Sequence, residues 1–400
     1  MSQQLTERLL DDEGFTRFVD AVQDVKRISG LTHTYYRYPA RFSPVFARAA
    51  IEAFTDVGDV VLDPFMGGAT TLVEASSLGR IAIGVDVSEL SCFLARVKTK
   101  GLSQSQIIEV RRWVDETLVS LNVRKVVSRP KEWIDKGYQR NLNSSETWPI
   151  RKLVEIALSQ IALLNNIDSQ EFVRAVILRT AQWALDCKRS IPSTNEFRTK
   201  LKNFLEEMIL GSVAYRESLG RSKKSNVLIL NGSAAELGRL TRGKKYGAPK
   251  LILTSPPYPG VHVLYHRWQV MGRRETPAPF WIANAQDGSG LSYYSFGDRK
   301  APGLNTYFEQ AKSTFKAIAD VASEETLIVQ LIAFSEFESQ LPRYLHTMEE
   351  AGLREVREFN VDTEDGRLWR TVPNRKWYAQ QTAAPRASKE VVLFHRKPVR

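Results

Sequence analysis

The sequence predicts an α/β fold: a Rossmann-like, doubly wound sheet of about seven strands with helices on both faces and an all-helical insertion. Three observations predict it. Val60-Val61-Leu62 and Ile81–Val85 are short apolar runs joined by a glycine turn and a helical stretch, the repeating unit of a parallel sheet. Residues 103–220 then lose strand patterning and carry apolar residues at helical spacing. Strand patterning resumes at Val227–Leu230, Leu251–Leu253, Leu327–Ile332 and Val391–Phe394.

Taken in order, residues 5–28 read as one or two helices, stopped by Gly30. Residues 44–54 read as a helix with Pro44 in its first turn. The first strand runs into Asp63, Thr70–Leu78 is a helix closed by Gly79, and the second strand ends at Asp86. The insertion contains helices at 103–122, 147–165, 168–186 and 194–219, with Asp168-x-x-Glu171 and Ser193-x-x-Glu196 as capping pairs. Helices near 305–321 and 336–351 separate the later strands. Three units are expected: 1–100, holding the N-terminal helices and the first half of a binding domain; 101–225, the helical insertion and a candidate target-recognition unit; and 226–400, the second half.

Composition bounds the function. A chain of 400 residues with 43% hydrophobic and 25% charged residues is an ordinary globular protein with one large core or two modest ones. No apolar run approaches the roughly 18 to 20 residues of a membrane span, and the polar, acidic start does not read as a signal peptide. A cytoplasmic protein is expected. Cys92 and Cys187 are too few for a disulfide framework or a zinc site and read as buried apolar residues. The net charge of +11 is uneven. Residues 1–30 hold four Lys/Arg and six Asp/Glu, 101–225 hold 21 and 14, and 366–400 hold nine and one. Two basic segments suit a polyanionic partner, although either alone also reads as a solvated face.

Two motifs carry chemistry. In Asp63-Pro64-Phe65-Met66-Gly67-Gly68-Ala69-Thr70, the glycines let backbone turn tightly and approach a ligand, beside the free N–H groups of the next helix. Asp63 is placed to meet an ammonium group, and Asp86, 23 residues on at the next strand end, to hold ribose hydroxyls. The G-x-G-x-x-G pattern of a dinucleotide site is missing. An acid entering the turn suits an amino-acid tail better than a pyrophosphate, and S-adenosylmethionine joins an amino acid to a ribose. An ordinary strand–turn–helix ending in an acid fits the same residues. The second motif, Thr254-Ser255-Pro256-Pro257-Tyr258, ends a strand with two prolines. Its stiff backbone leaves carbonyls without helical partners, Ser255 adds an acceptor, and Tyr258 offers a face for a planar base.

Asp63-Pro64-Phe65-x-Gly67 together with Thr254-Ser255-Pro256-Pro257-Tyr258 resembles the DNA amino-methyltransferases, which transfer a methyl group from S-adenosylmethionine to an exocyclic amine of cytosine or adenine. Serine at the head of the proline-proline-tyrosine motif resembles the N4-cytosine enzymes. The resemblance implies a seven-stranded methyltransferase sheet and a cofactor site including Asp63, Pro64, Phe65, Gly67, Gly68, Thr70, Asp86 and Thr254. His33–Phe42 resembles the family's N-terminal motif over the methionine end of the cofactor, which implicates Tyr38, Pro39, Arg41 and Phe42. Ala69 stands where the family commonly has glycine, and Asn231 or Ser233 where an aspartate often meets the adenine. The resemblance covers roughly 31–100 and 226–400 and leaves the insertion outside it.

The reading that follows is a DNA methyltransferase acting on the N4 amine of cytosine, with Ser255, Pro256, Pro257 and Tyr258 as catalytic residues. Candidate nucleic-acid contacts are His262, Tyr265, Arg273, Arg274, Arg370, Arg375, Lys376 and Trp377, where basic, aromatic and histidine side chains interleave. No metal is expected, because His262 and His266 lack a third ligand. Adenine N6 methylation, RNA amine methylation and an inactive cofactor- and DNA-binding subunit are the alternatives. Restriction or defence proteins are candidate partners.

Overall fold

The computed structural model describes residues 5–26, 28–38, 43–127, 131–222, 224–259, 267–272, 274–288, 294–297, 301–358, 360–363, 365–371 and 389–398. The strands, in chain order, are β1 Leu5–Glu7, β2 Val60–Asp63, β3 Ile81–Asp86, β4 Val227–Asn231, β5 Leu251–Thr254, β6 Trp268–Val270, β7 Arg274–Thr276, β8 Leu327–Ile332, β9 Arg354–Glu358, β10 Leu368–Thr371 and β11 Lys389–Arg396. The main sheet runs β4-β3-β2-β5-β8-β11-β9-β1, with β10 also paired to β11. Neighbours from β4 to β8 are parallel, and β11 is antiparallel to both β8 and β9. The predicted doubly wound sheet is therefore present, and it has nine strands rather than about seven.

Side chains alternate between two layers, as strand geometry requires. Val61, Leu251 and Leu253 pack with Phe18, Phe46 and Leu72 on one face. Val60, Leu62 and Ile252 pack with Phe308, Phe315 and Tyr344 on the other. A third core unites the insertion helices Gln104–Ser120, Trp148–Ser159, Ile167–Leu185 and Thr194–Ser218 with Leu90, Phe93 and Leu94 of helix Glu89–Lys98. Trp268 of β6 and Trp281 of helix Ala278–Ala283 join the same core. The insertion thus packs on one flank of the sheet layer, and chain from beyond β5 returns to it.

Three local expectations are corrected. Residues 5–28 are not all helical: β1 extends the sheet beside β9, and one helix, Asp12–Gln23, follows, capped by Asp11 accepting from the Gly14 N–H. Glu358 on β9 accepts from the Leu9 N–H at 2.9 Å, a partner 349 residues away that no local window reveals. Asp168 does not cap its helix. Asn166 does, accepting from the Asp168 and Ser169 N–H groups, which leaves Glu171 to pair with Arg96. Ser193 and Glu196, by contrast, form the reciprocal capping box. Cys187 is exposed: it follows the end of helix Ile167–Leu185 at φ +58°, with its N–H donating to the Gln269 carbonyl.

The insertion also grips the segment before the first sheet helix. Tyr35 Oη donates to the Met208 carbonyl at 2.7 Å. The Gln182 side chain brackets Arg37, accepting from its N–H at 2.9 Å and donating to its carbonyl at 3.0 Å. Gly211 lets helix Thr194–Ser218 lie against this segment, because a Cβ there would overlap the Leu31 carbonyl oxygen. In a free helix Gly→Ala gains about 1 kcal/mol, whereas overpacking costs about 1–3 kcal/mol. Gly211→Ala is therefore expected to lower the melting temperature; a rise would show that the contact yields to helix propensity.

Candidate active site

The carboxyl ends of β2 and β5 lie side by side where strand order reverses, the crevice in which doubly wound sheets bind ligands. Asp63 ends β2 and is 2% exposed. One carboxylate oxygen accepts from Thr254 Oγ1 at 2.8 Å and the Phe65 N–H at 3.1 Å, and the other accepts from Thr71 Oγ1 at 2.6 Å. Asp63 therefore ties the glycine turn to the residue that precedes Ser255. Burial pushes its carboxyl up to about 6 against these hydrogen bonds, which pull it down.

Asp86, at the end of β3, accepts from the Gly67 N–H at 2.9 Å and the Ser88 N–H at 2.8 Å. Though partly exposed at the strand end, it is enclosed enough that burial also raises it to about 6. Between the two carboxylates Gly67 adopts φ +42° with the Tyr38 ring above it, and a Cβ there would stand 3.0 Å from a ring carbon. Lys98, 1% exposed, donates to the Gly68 carbonyl at 2.7 Å and anchors the turn from behind. Ala69 takes the left-handed conformation at φ +61° just before helix Thr70–Ser77, so alanine accepts a backbone position that favours glycine.

The Ser255–Tyr258 turn leaves β5 next to this pocket. Ser255 Oγ and Tyr258 Oη are 2.9 Å apart. Tyr258 Oη donates to Glu390 on β11 at 2.8 Å, and the Arg370 guanidinium lies 3.3 Å from the other Glu390 oxygen. Tyr307 Oη donates to the Pro257 carbonyl at 2.7 Å and pins the turn from helix Ala301–Val321.

The predicted residues therefore separate into groups. Hydrogen bonds and close packing bring Asp63, Phe65, Gly67, Gly68, Asp86, Thr254 and Tyr38 together at the strand ends, Pro64 and Thr70 belong to the same turn, and Ser255, Pro256, Pro257 and Tyr258 follow directly from Thr254. Asn231 ends β4 beside β3, but its amide donates to the Asp86 and Val87 carbonyls at 3.0 and 3.2 Å, so it braces the rim. Ser233 accepts from the Ala235 N–H as a cap. Arg274 is exposed on β7. Arg370 is corrected: it is buried at 6% beside Glu390 rather than on an open basic face, because β10 pairs with β11 inside the sheet. Pro39, Arg41, Phe42, His262, Tyr265, His266, Arg273, Arg375, Lys376 and Trp377 lie outside the described residues. Sequence reasoning missed Thr71, Tyr307, Gln182 and Glu390. Glu390 alone left a signal, as the one acid among the last 35 residues.

Two measurements test the pocket. The ionised forms of Asp63 and Asp86 are those that suit an ammonium group and ribose hydroxyls. Affinity for S-adenosylmethionine should therefore weaken as pH falls through about 6, the value to which both carboxyls are raised. Calorimetry between neutral and acidic pH reads this, and a flat profile would remove both groups from the site. Gly67→Ala combines left-handed strain of about 1–2 kcal/mol with overlap on Tyr38. It should reduce cofactor affinity about tenfold or more while the protein stays folded, with circular dichroism as the control.

Comparison with known proteins finds likeness over the first part of this site. Residues 11–96 match the N6/N4 methyltransferase family model, described as DNA methylase. The chain is 38% identical over 66 residues to the Type II methyltransferase M.MjaII of Methanocaldococcus jannaschii, covering 16% of this chain and 12% of that protein. It is 36% identical over 80 residues to the Type II methyltransferase M.MvaI of Kocuria varians, covering 19% and 18%. It is 34% identical over 73 residues to the Orphan methyltransferase M.BamHII of Bacillus amyloliquefaciens, covering 18% and 28%. The matches thus span less than a third of each of these relatives. A solved rRNA methyltransferase, aviRa of Streptomyces viridochromogenes, aligns over 93% of this chain and 94% of its own at 10% identity and a TM-score of 0.32, too distant to bear on function. The cofactor that this family match implies is S-adenosylmethionine, and a glycine cradle that a Cβ would fill, set between two acids, fits it. Residues 11–96, which build that cradle, are thus similar to the N6/N4 DNA methylase family.

Proposed function

We propose that this protein is a DNA methyltransferase acting on the exocyclic N4 amine of cytosine. The observation that carries the reading is the hydrogen bond from Thr254 to Asp63, which sets the serine-proline-proline-tyrosine turn against the cofactor pocket. S-adenosylmethionine, when bound, supplies an electrophilic methyl group. Tyr38 and Gly67 shape the pocket, and Asp63 and Asp86 give it the negative character an ammonium and a ribose call for. A base in a duplex must leave the stack to reach this edge of the sheet. Ser255 and the Pro256 carbonyl then accept hydrogens from its amine, which turns the nitrogen lone pair toward the pocket. The Tyr258 ring packs against the base, and Tyr307 holds the turn stiff so that orientation costs little at the moment of reaction. The amine is itself the nucleophile, so no thiol is required, in keeping with Cys92 being buried and raised to about 12. Residues 101–225 are proposed to take part in target recognition, and exposed Arg274 to meet phosphate. The setting is the cytoplasm, with or without a restriction or defence partner.

Transfer of labelled methyl groups to DNA, followed by digestion to nucleosides and mass analysis, tests the reading. N4-methylcytosine is expected, with Ser255→Ala or Tyr258→Ala reducing kcat about 100-fold and leaving cofactor affinity unchanged. N6-methyladenine would replace cytosine by adenine as target, label in RNA would change the substrate class, and no transfer at all would leave a binding subunit.

A further inference from the structure

The buried Glu390 carboxylate matters for more than packing. A carboxylate only accepts hydrogen bonds, and the Arg370 guanidinium lies 3.3 Å from its second oxygen. Tyr258 has one hydroxyl proton, and it points at Glu390 across 2.8 Å. The 2.9 Å contact between Ser255 and Tyr258 then has one consistent direction: Ser255 donates and Tyr258 accepts. Serine also has a single hydroxyl proton, now spent, so its oxygen can only accept from whatever lies in the catalytic turn.

We propose that Glu390, through Tyr258, fixes Ser255 as a hydrogen-bond acceptor and so makes the site select a base bearing an amine over one bearing a carbonyl at the same position. This deepens the proposed function and rests on it. Cytosine and adenine present –NH2 to Ser255, whereas uracil, thymine and guanine present an oxygen, and two facing acceptors repel. Glu390 is a positioning residue, because it touches no substrate and acts by setting a proton two bonds away. The chain joins residues 132 apart through β5 and β11, neither of which could impose the polarity alone.

Glu390→Gln tests it. Arg370 requires an acceptor, so the glutamine oxygen turns to Arg370 and its NH2 group donates to Tyr258. The Tyr258 proton is then free to point at Ser255, and Ser255 becomes free to donate outward. Competition between deoxycytidine monophosphate and deoxyuridine monophosphate, read by ligand-observed NMR without cofactor, should favour the cytidine nucleotide about tenfold in the wild type. The ratio should fall toward one in the variant, while affinity for S-adenosylmethionine stays unchanged. Should Glu390→Gln fail to fold, Tyr258→Phe cuts the same chain and must lose the same preference. An unchanged ratio in the folded variant, or no preference in the wild type, overturns the proposal. A wild type that keeps the preference yet methylates no DNA would instead retire the proposed function and leave the polarity of Ser255 standing.

Discussion

The site at the carboxyl edge of the sheet depends on the donors that converge on Asp63. Thr71 comes from the helix after the glycine turn, Phe65 from the turn itself, and Thr254 from β5, 191 residues downstream. A carboxylate taken out of water must be hydrogen-bonded, so each donor is held firmly. The consequence is geometric. The turn that shapes the cofactor pocket and the turn that presents Ser255 cannot drift apart without baring a buried charge. Parallel pairing of β2 with β5 brings the two motifs near each other, and Asp63 fixes their distance.

The helical insertion bears on the same place from outside. It lies between β3 and β4 in the chain, yet it shares its core with helix Glu89–Lys98 and with β6. Its reach over Tyr35 and Arg37 sets the position of Tyr38, the ring above Gly67. Arg37 further pairs with Asp186 at the end of helix Ile167–Leu185. A change in the insertion therefore has a covalently short path to the roof of the pocket. Under the role proposed for the insertion, Gln182 and Asp186 join target recognition mechanically to cofactor binding.

Much of this was legible because it is local. Strand β2, Gly67, Gly68 and Thr70 are contiguous, and Pro44–Phe54 begins with the proline that suits a first turn, so helix and turn follow from neighbours in sequence. The serine-proline-proline-tyrosine turn is likewise set by its own prolines. What escaped is what sequence separation hides: β1 pairs with a strand near the other end of the chain, and Glu390 meets Tyr258 from β11. Charge misled in an instructive way. Residues 366–400 look like a basic surface, yet Arg367 pairs with Glu355 at 2.6 Å and Arg370 with Glu390, both buried inside the fold. Counting charges along a chain cannot distinguish a phosphate-facing arginine from one that neutralises a buried acid.

The two raised carboxyls bear on what the pocket is for. An acid whose folded value lies above its unfolded one is penalised when ionised: the folded state gains stability as pH falls from about 6 toward 3.8 and has lost that gain at neutral pH. For Asp63 the shift amounts to about 3 kcal/mol of ionisation energy carried by the folded protein near pH 7. Asparagine would keep most of the hydrogen bonds to Thr71, Thr254 and the Phe65 N–H without that penalty, so the clamp by itself does not explain the acid. Under the proposed function, a cationic ligand does. An ammonium group brought near Asp63 recovers part of the energy that burial withholds, and it does so only when the pocket is filled. On that reading, the ionisation penalty on Asp63 in the empty protein becomes affinity for a ligand that carries positive charge to the end of β2.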